Sequence, residues 1–352
     1  FAEKVDWYLR NMHKDIEDVE TYVTHVTCPR FGTGEGKGVI DETVRGHDVY
    51  IICDCFNHSV TYKMYGYENH MSPDDHYQDL KRIIAAMGGK ARRVTVIMPM
   101  LYEGRQHRRS GRESLDCAIM LQELSKMGVK NVITFDAHDP RIVNSIPLSG
   151  FDDVQPTYQM IKALVNAVPD IKFNKFDTVV ISPDEGGMSR CMYYSSVLEL
   201  DLGMFYKRRD YSRLENGKNP IVAHEYLGRD VDGKDVIIVD DMISSGESMI
   251  DVANKLKKQG AKRIFVFSSF GLFVNGLEVF DKAYEDGVID KIFTTNLIYQ
   301  DPGLAEREWH QAVDMSKYVA LLVDTLNHDD TISKLLDPAT KIRNLIEKKG
   351  AK

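Results

Sequence analysis

The chain has 352 residues, of which 43% are hydrophobic and 28% charged, and its formal net charge is −8. That length supports two domains with full cores. The acidic balance excludes a broad nonspecific nucleic-acid surface. No apolar run of about 18 residues marks a membrane span, and no secretory signal is visible. The five cysteines, Cys28, Cys53, Cys55, Cys117 and Cys191, are scattered. Cys53 and Cys55 have no second pair to complete a zinc site, so we read all five as reduced thiols of a cytoplasmic protein.

Val5, Leu9, Met12, Ile16 and Val19 recur at helical spacing and predict an amphipathic N-terminal helix. Strands are then predicted at 48–53, 93–98, 131–135, 177–182, 235–239 and 263–267. Helices are predicted at 76–87, 113–127, 157–167, 187–199 and 247–259, with Gly128 and Gly260 at helix stops. This alternation predicts an α/β fold with mostly parallel sheets flanked by helices. Residues 63–75 read as a polar surface insertion, and Thr340 to Lys352 as a charged, exposed helix. We place domains at 1–165 and 166–325, with a helical tail at 326–352.

The stretch from Val236 to Met249, VIIVDDMISSGESM, carries the most information. An apolar run ends in Asp240 and Asp241. Small residues follow (Ser244, Ser245, Gly246, Ser248), and helical spacing resumes at Met249, Ile250, Ala253 and Leu256. A buried strand, a tight turn and a helix N-terminus offer N–H groups and hydroxyls to a phosphate. Two carboxylates beside a phosphate cradle need another task, and accepting hydrogen bonds from sugar hydroxyls is the obvious one. The stretch asks for a phosphorylated sugar; the plain alternative is a strand-to-helix turn with an acidic end.

Other stretches point the same way. Tyr102 to Ser114, YEGRQHRRSGRES, sets four arginines after a strand, suited to phosphates or to a solvated basic loop. FDAHDPRI, 135–142, places His138 and Asp136 after a strand, and ISPDEGGMSR, 181–190, does the same for Asp184. Ligands of open parallel sheets bind beyond such strand ends. MFYKRRDYSR, 204–213, carries Lys207 and Arg209 before a polar stretch, 210–220, that suits a lid. PRFGTGE, 29–35, has alternating glycines, but its spacing is wrong for GxGxxG.

Taken in order, these stretches resemble ribose-phosphate diphosphokinase, the PRPP synthetase family. VDDMISSGES is similar to the family's VDDMIDTGGT, YEGRQHRR to YARQDRK, FDAHDPRI to MDLHASQI, SPDEGGMSR to SPDAGGAKR, and PRFGTGE to FSDGE. VRGHDVYI and TTNLI also resemble family segments. The resemblance implies two phosphoribosyltransferase-like domains and transfer of a diphosphoryl group from ATP to ribose 5-phosphate. ATP would be bound by Phe31, Glu35, Arg105, Gln106 and His107. Ribose 5-phosphate would be bound by Asp240, Asp241, Ser244, Ser245, Gly246 and Ser248. Lys207, Arg209 and His138 would be catalytic, and Mg²⁺ would sit near His138 and Asp184. It further implies a homo-oligomer, a dimer or hexamer, with neither nucleic acid nor membrane as partner.

Three departures stand out: His107 replaces an aspartate, Ser244 an acid and Glu247 a glycine. They keep a non-catalytic regulatory homologue open as an alternative. A nucleobase phosphoribosyltransferase would share the sugar-phosphate loop without needing RQHRR, SPDEGG and KRR together. A PRPP-sensing transcription regulator would want a helix-turn-helix and a basic face.

Overall fold

The computed structural model describes residues 1–16, 18–209 and 221–350, with side chains left out at 207–209, 221–224 and 350. The expected lid, 210–220, lies outside the described residues. The chain divides into two compact units. The first comprises Phe1–Pro156, Asn296–Tyr299 and Asp314–Leu336; the second comprises Thr157–Thr295, Gln300–Val313 and Asp337–Lys352. The chain thus enters the second unit at Thr157 rather than at 166, and its last helices are shared between the units rather than forming a tail of their own.

In the first unit the order is α1 (Ala2–His13), β1 (Val26–Thr27), β2 (Val39–Ile40), β3 (Asp48–Ile52), β4 (Thr61–Met64), β5 (Tyr67–His70), α2 (Pro73–Ala86), β6 (Arg93–Ile97), α3 (Asp116–Lys126), β7 (Asn131–Phe135) and β8 (Gly150–Val154). Strands β3-β6-β7-β8 form a parallel sheet. Val96, Met98 and Val132 pack with Leu121 and Leu124 of α3 and Leu80 and Ile84 of α2. Ser72 and Asp75 form a reciprocal capping box that starts α2. The predicted surface insertion is an ordered hairpin, β4–β5, followed by the first turns of α2. Its two-residue turn, Tyr65-Gly66, has φ of 50° and 82°. Both residues are left-handed, as the tight hairpin turn matched to strand twist requires.

The second unit contains α4 (Thr157–Ala167), β9 (Thr178–Ser182), α5 (Met188–Leu198), β10 (Asp201–Arg209), β11 (Ile221–Leu227), β12 (Asp235–Ile243), α6 (Glu247–Lys258), β13 (Arg263–Gly271), α7 (Glu278–Glu285), β14 (Lys291–Thr295) and β15 (His310–Val313). Its sheet runs β11-β10-β9-β12-β13-β14-β15. All neighbours are parallel except β10 and β11. Strands β12 and β13 each extend four residues beyond the predicted ends, to Ile243 and Gly271. An aromatic cluster closes one part of the core. Phe280 meets Phe273 edge-on at 5.0 Å and stacks on Trp309 at 5.6 Å.

Three helices finish the chain: α8 (Ser316–Asn327), α9 (Ser333–Leu336) and α10 (Ala339–Gly350). Helix α1 packs on α8, with His13 Nε2 2.7 Å from Asp324. It ends at His13, leaving Ile16, counted on its apolar face from spacing, outside the helix and exposed. The expectation of an exposed C-terminal helix is corrected. Helix α10 lies on α4 and α5, and Ile342 is fully buried. Lys349 donates to the carbonyls of Val168, at 3.4 Å, and Ile171, at 2.6 Å. The charged residues hide an apolar stripe, Ile342, Leu345 and Ile346, at helical spacing.

Phe280 has no exposed surface. Phe280→Ala should therefore cost about 3–5 kcal/mol, read as a lower urea midpoint with an unchanged slope.

Candidate functional site

In the second unit the candidate residues gather where parallel strands β9 and β12 end. Asp184 follows β9, and its Oδ1 accepts the N–H groups of Gly186 (2.9 Å) and Gly187 (3.2 Å) just before α5. Cys191 of α5 donates its thiol to the Val239 carbonyl of β12 at 3.3 Å, which brings the helix onto both strand ends. Asp240 and Asp241 lie within β12, Asp241 being buried. Asp240 Oδ1 accepts the Asp241 N–H at 2.9 Å and lies 4.0 Å from Arg190 Nη1. Burial, then the neighbouring Asp241, push the Asp240 carboxyl well above the usual range; Asp184 adds to this and Arg190 opposes it.

The turn after β12 is shaped by Gly246, which has φ of 84°. A Cβ there would lie 2.0 Å from Phe280 Cζ, so no larger residue fits. Gly246 is the N-cap of α6, with no side chain capping the helix. Ser245 is half-buried, and Ser248 and Glu247 are exposed. This is a helix start whose N–H groups suit an anion. Glu247 sits in the first turn, where its charge favours the helix dipole.

In the first unit, β6 leads into the arginine loop and β7 into the His138 segment. Gln106 Nε2 donates to the Ser114 carbonyl at 2.8 Å, closing the loop on itself. Arg105, Arg108, Arg109 and Arg112 are exposed. His107 Nε2 lies 3.3 Å from Asp139 Oδ2, and its ring is 5.4 Å from that of His138. His107 Nδ1 is buried and has no hydrogen-bond partner among the described residues. Hydrogen bonds from Arg141 hold the Asp139 carboxyl down at about 2. The turn carrying His138 is fixed from β8: Ala137 N–H donates to Asp153 Oδ1 at 3.0 Å and Asp136 N–H to the Val154 carbonyl at 3.0 Å. Asp136 itself has φ of 46°, a left-handed conformation at a strand end.

Phe31 and Glu35 close a separate turn in this unit, the Phe31 N–H donating to the Glu35 carbonyl at 2.7 Å. The structure thus assembles Asp184, Asp240, Asp241 and the α6 start in one unit, and His107 with His138 in the other. Lys207 and Arg209 lie on β10, and their side chains fall outside the described residues. Arg190, Asp139 and Arg141 were missed as site residues. Arg190 closes the SPDEGGMSR stretch, and a guanidinium there was the available signal. Among the described residues no three His, Cys, Asp or Glu side chains converge as a metal cage. Magnesium sites completed by substrate phosphates and waters do not need one.

Residues 2–128 match the N-terminal domain of ribose phosphate pyrophosphokinase, and residues 154–307 match the phosphoribosyl transferase domain. Ribose-phosphate pyrophosphokinase from Vibrio cholerae is 30% identical over 88% of this chain and 90% of its own length. The chain belongs to the ribose-phosphate pyrophosphokinase family. The relative of the same name from Mycoplasma genitalium is 31% identical over 83% of this chain and 80% of its own. A crystal structure of phosphoribosylpyrophosphate synthetase from Mycobacterium smegmatis shares the fold. It has a TM-score of 0.73 and 20% identity, over 93% of this chain and 96% of that one. The family and α/β fold expected from the motifs are thereby established.

The raised carboxyl of Asp240 gives a prediction with a defined sign. Its contribution to stability is fully present below its ordinary value of 3.8 and is lost as pH rises through the raised value. Asp240→Asn carries no such loss. Its urea midpoint should exceed the parent's by an amount that grows as pH rises above about 4 and through the raised value; a constant difference would contradict the burial argument.

Proposed function

We propose that the chain transfers the diphosphoryl group of ATP to the anomeric hydroxyl of ribose 5-phosphate, giving PRPP and AMP for nucleotide biosynthesis. The observation that carries this reading is the junction of Asp240 and Asp241 with an uncapped helix start at Gly246. The helix start offers donors to the 5-phosphate, and the carboxylates accept from the ribose hydroxyls. In this reading Asp240, Asp241, Ser244, Ser245, Gly246 and Ser248 bind the sugar phosphate. Phe31, Glu35, Arg105, Gln106 and His107 bind ATP, Phe31 as a stacking surface for the adenine. The match of residues 2–128 favours synthesis of PRPP over its use by a nucleobase phosphoribosyltransferase, which a second unit alone would serve equally well.

The attacking oxygen is the anomeric hydroxyl, and the bond broken joins the β-phosphorus to the α–β bridging oxygen, so that AMP leaves. Negative charge spreads over the transferred oxygens. Lys207 and Arg209 neutralise it, and His138 contacts the phosphates. His107 suits the nucleotide side because Asp139, kept anionic by Arg141, lies beside Nε2, while buried Nδ1 has no partner among the described residues. Asp184 offers a hard carboxylate oxygen, beside which a magnesium ion held with the substrate phosphates would add charge neutralisation, and His138 is the candidate ligand in the first unit. Five unbridged cysteines fit a cytoplasmic enzyme. We assign it as a homo-oligomer, a dimer or hexamer, on the family resemblance.

The direct test mixes protein, ATP, Mg²⁺ and ribose 5-phosphate and measures AMP against ADP. AMP that requires the sugar and appears with PRPP is expected; bound substrates without AMP would point to the regulatory homologue. Lys207→Ala should lower kcat by about 10²–10³-fold while ribose 5-phosphate still binds by calorimetry. Glu247 puts a negative charge where the phosphate would bind. Glu247→Gly should lower the KM for ribose 5-phosphate by about two- to fivefold, the ratio equivalent to one helix-end charge, and an increase would show that the exposed carboxylate instead helps to order the turn.

A further inference from the structure

Neither the sugar-phosphate junction nor the arginine loop accounts for the β4–β5 hairpin. The hairpin nevertheless makes specific contacts with the Phe31 turn. Tyr65 N–H donates to the Gly32 carbonyl at 2.8 Å. Gly34, with φ of 93°, comes so close to Met64 that a Cβ on it would lie 2.7 Å from Sδ and 3.2 Å from Cγ. Arg30, at the root of the turn, lies over the Tyr62 ring of β4 at 5.1 Å. The same guanidinium makes a paired contact with Asp79 of α2, at 2.8 Å on each arm. The hairpin ladder runs one rung past its strands, the Met71 N–H donating to the Val60 carbonyl at 2.9 Å, and Tyr62 Oη donates to Asp75 Oδ1 of α2 at 3.4 Å.

We infer that this hairpin is a strut that fixes the Phe31 turn, with Met64 and Tyr65 as positioning residues for the nucleotide. The inference rests on the reading of Phe31 as the surface on which adenine stacks. Phe31 is 57% exposed, so its own packing does not hold it. The turn, Phe31-Gly32-Thr33-Gly34, is half glycine, and ordering such a segment costs about 1–2 kcal/mol per residue in backbone freedom alone. If that cost fell due on binding it would be subtracted from affinity; a turn ordered beforehand avoids it. The strut acts through a backbone hydrogen bond, whose donor the left-handed Tyr65-Gly66 turn presents, and through a thioether packed against a residue without a side chain.

The test compares Met64→Ala, Met64→Leu, Phe31→Ala and the Met64→Ala/Phe31→Ala pair. Each is assayed for kcat and for both KM values, with thermal midpoints to confirm folding. Met64→Ala should raise the KM for ATP by about three- to tenfold with kcat and the KM for ribose 5-phosphate unchanged, the signature of lost uniform binding. Met64→Leu should restore it, and Met64→Ala should add nothing once Phe31 is gone. Gly34→Ala, which presses on Met64 from the other side, should give the same KM effect and serves if Met64→Ala folds poorly. Equal effects of Met64→Ala with and without Phe31, or none where Phe31→Ala has one, would overturn the strut. Hydrogen exchange separates the two layers. If Phe31→Ala leaves the KM for ATP unchanged, the adenine reading falls. Faster exchange of the Phe31 and Gly34 amides in Met64→Ala would then still support the strut, and unchanged exchange would overturn it as well.

Discussion

Placing two carboxylates side by side at the end of a buried strand is the constraint around which the second unit is built. Val236 to Val239 are fully enclosed, and the strand stays paired to β13 through Ile243. Asp240 and Asp241 are therefore not free to separate into solvent when both are charged. Loss of hydration, then repulsion by Asp241, raise the Asp240 carboxyl, and Arg190 opposes the shift. Such a pair is a liability to folding. Strands on both sides, the helix α5 bound through Cys191, and the Phe280–Trp309 cluster supply the packing that tolerates it. In the proposed role, a polyhydroxylated ligand donating hydrogen bonds to those oxygens would remove part of the penalty on binding.

The first unit handles charge in the opposite way. The arginines of its 105–112 loop are exposed, and two of its ion pairs place loops near the surface. Arg30 and Asp79 form a half-buried pair at the root of the Phe31 turn, and Arg141 keeps Asp139 ionised beside His107. Opposite charges of this kind place loops without requiring them to be apolar. Close approach does the rest: a Cβ at Gly38 would lie 2.6 Å from the Arg82 backbone of α2, so the glycine run is a packing surface as well as a flexible one.

The parts of the fold that the sequence made legible are those whose period and burial agree. Strand β7 and helix α4 fall on their predicted ranges, and β12, β9 and α6 are displaced by a few residues at most at one end. The acids at these strand ends were legible because a carboxylate after an apolar run is unusual. The hairpin β4–β5 was not, since Thr61 to His70 is polar and its turn is Tyr-Gly rather than the Asn-Gly or Asp-Gly that announces such a turn. Helix α10 was legible as a helix, but its burial was not, because lysines flank its apolar stripe on both sides. Asp139 was missed because its contact with His107 depends on which strands are neighbours, which local pattern does not contain, whereas Arg190 had a signal in the SPDEGGMSR stretch that was not used. His107, by contrast, was visible as a departure from the family, and its pairing with Asp139 gives the substitution a local physical context.

The departures at Ser244 and Glu247 are best weighed against what sets the shape of their loop. Leu272 N–H donates to the Ile243 carbonyl at 2.9 Å and Val274 N–H to the Ser244 carbonyl at 3.1 Å, both through the backbone. Gly246 is held by its own conformation and by Phe280 beneath it. None of these constraints involves the side chain of residue 244 or 247. The loop can therefore keep its course while its chemistry changes. Ser244 exchanges an ionised acceptor for a neutral hydroxyl, and Glu247 adds an exposed charge at a helix start. In the proposed role both changes would act on the strength of sugar-phosphate binding, a quantity that varies by an order of magnitude with about 1.4 kcal/mol, without disturbing Asp240 and Asp241.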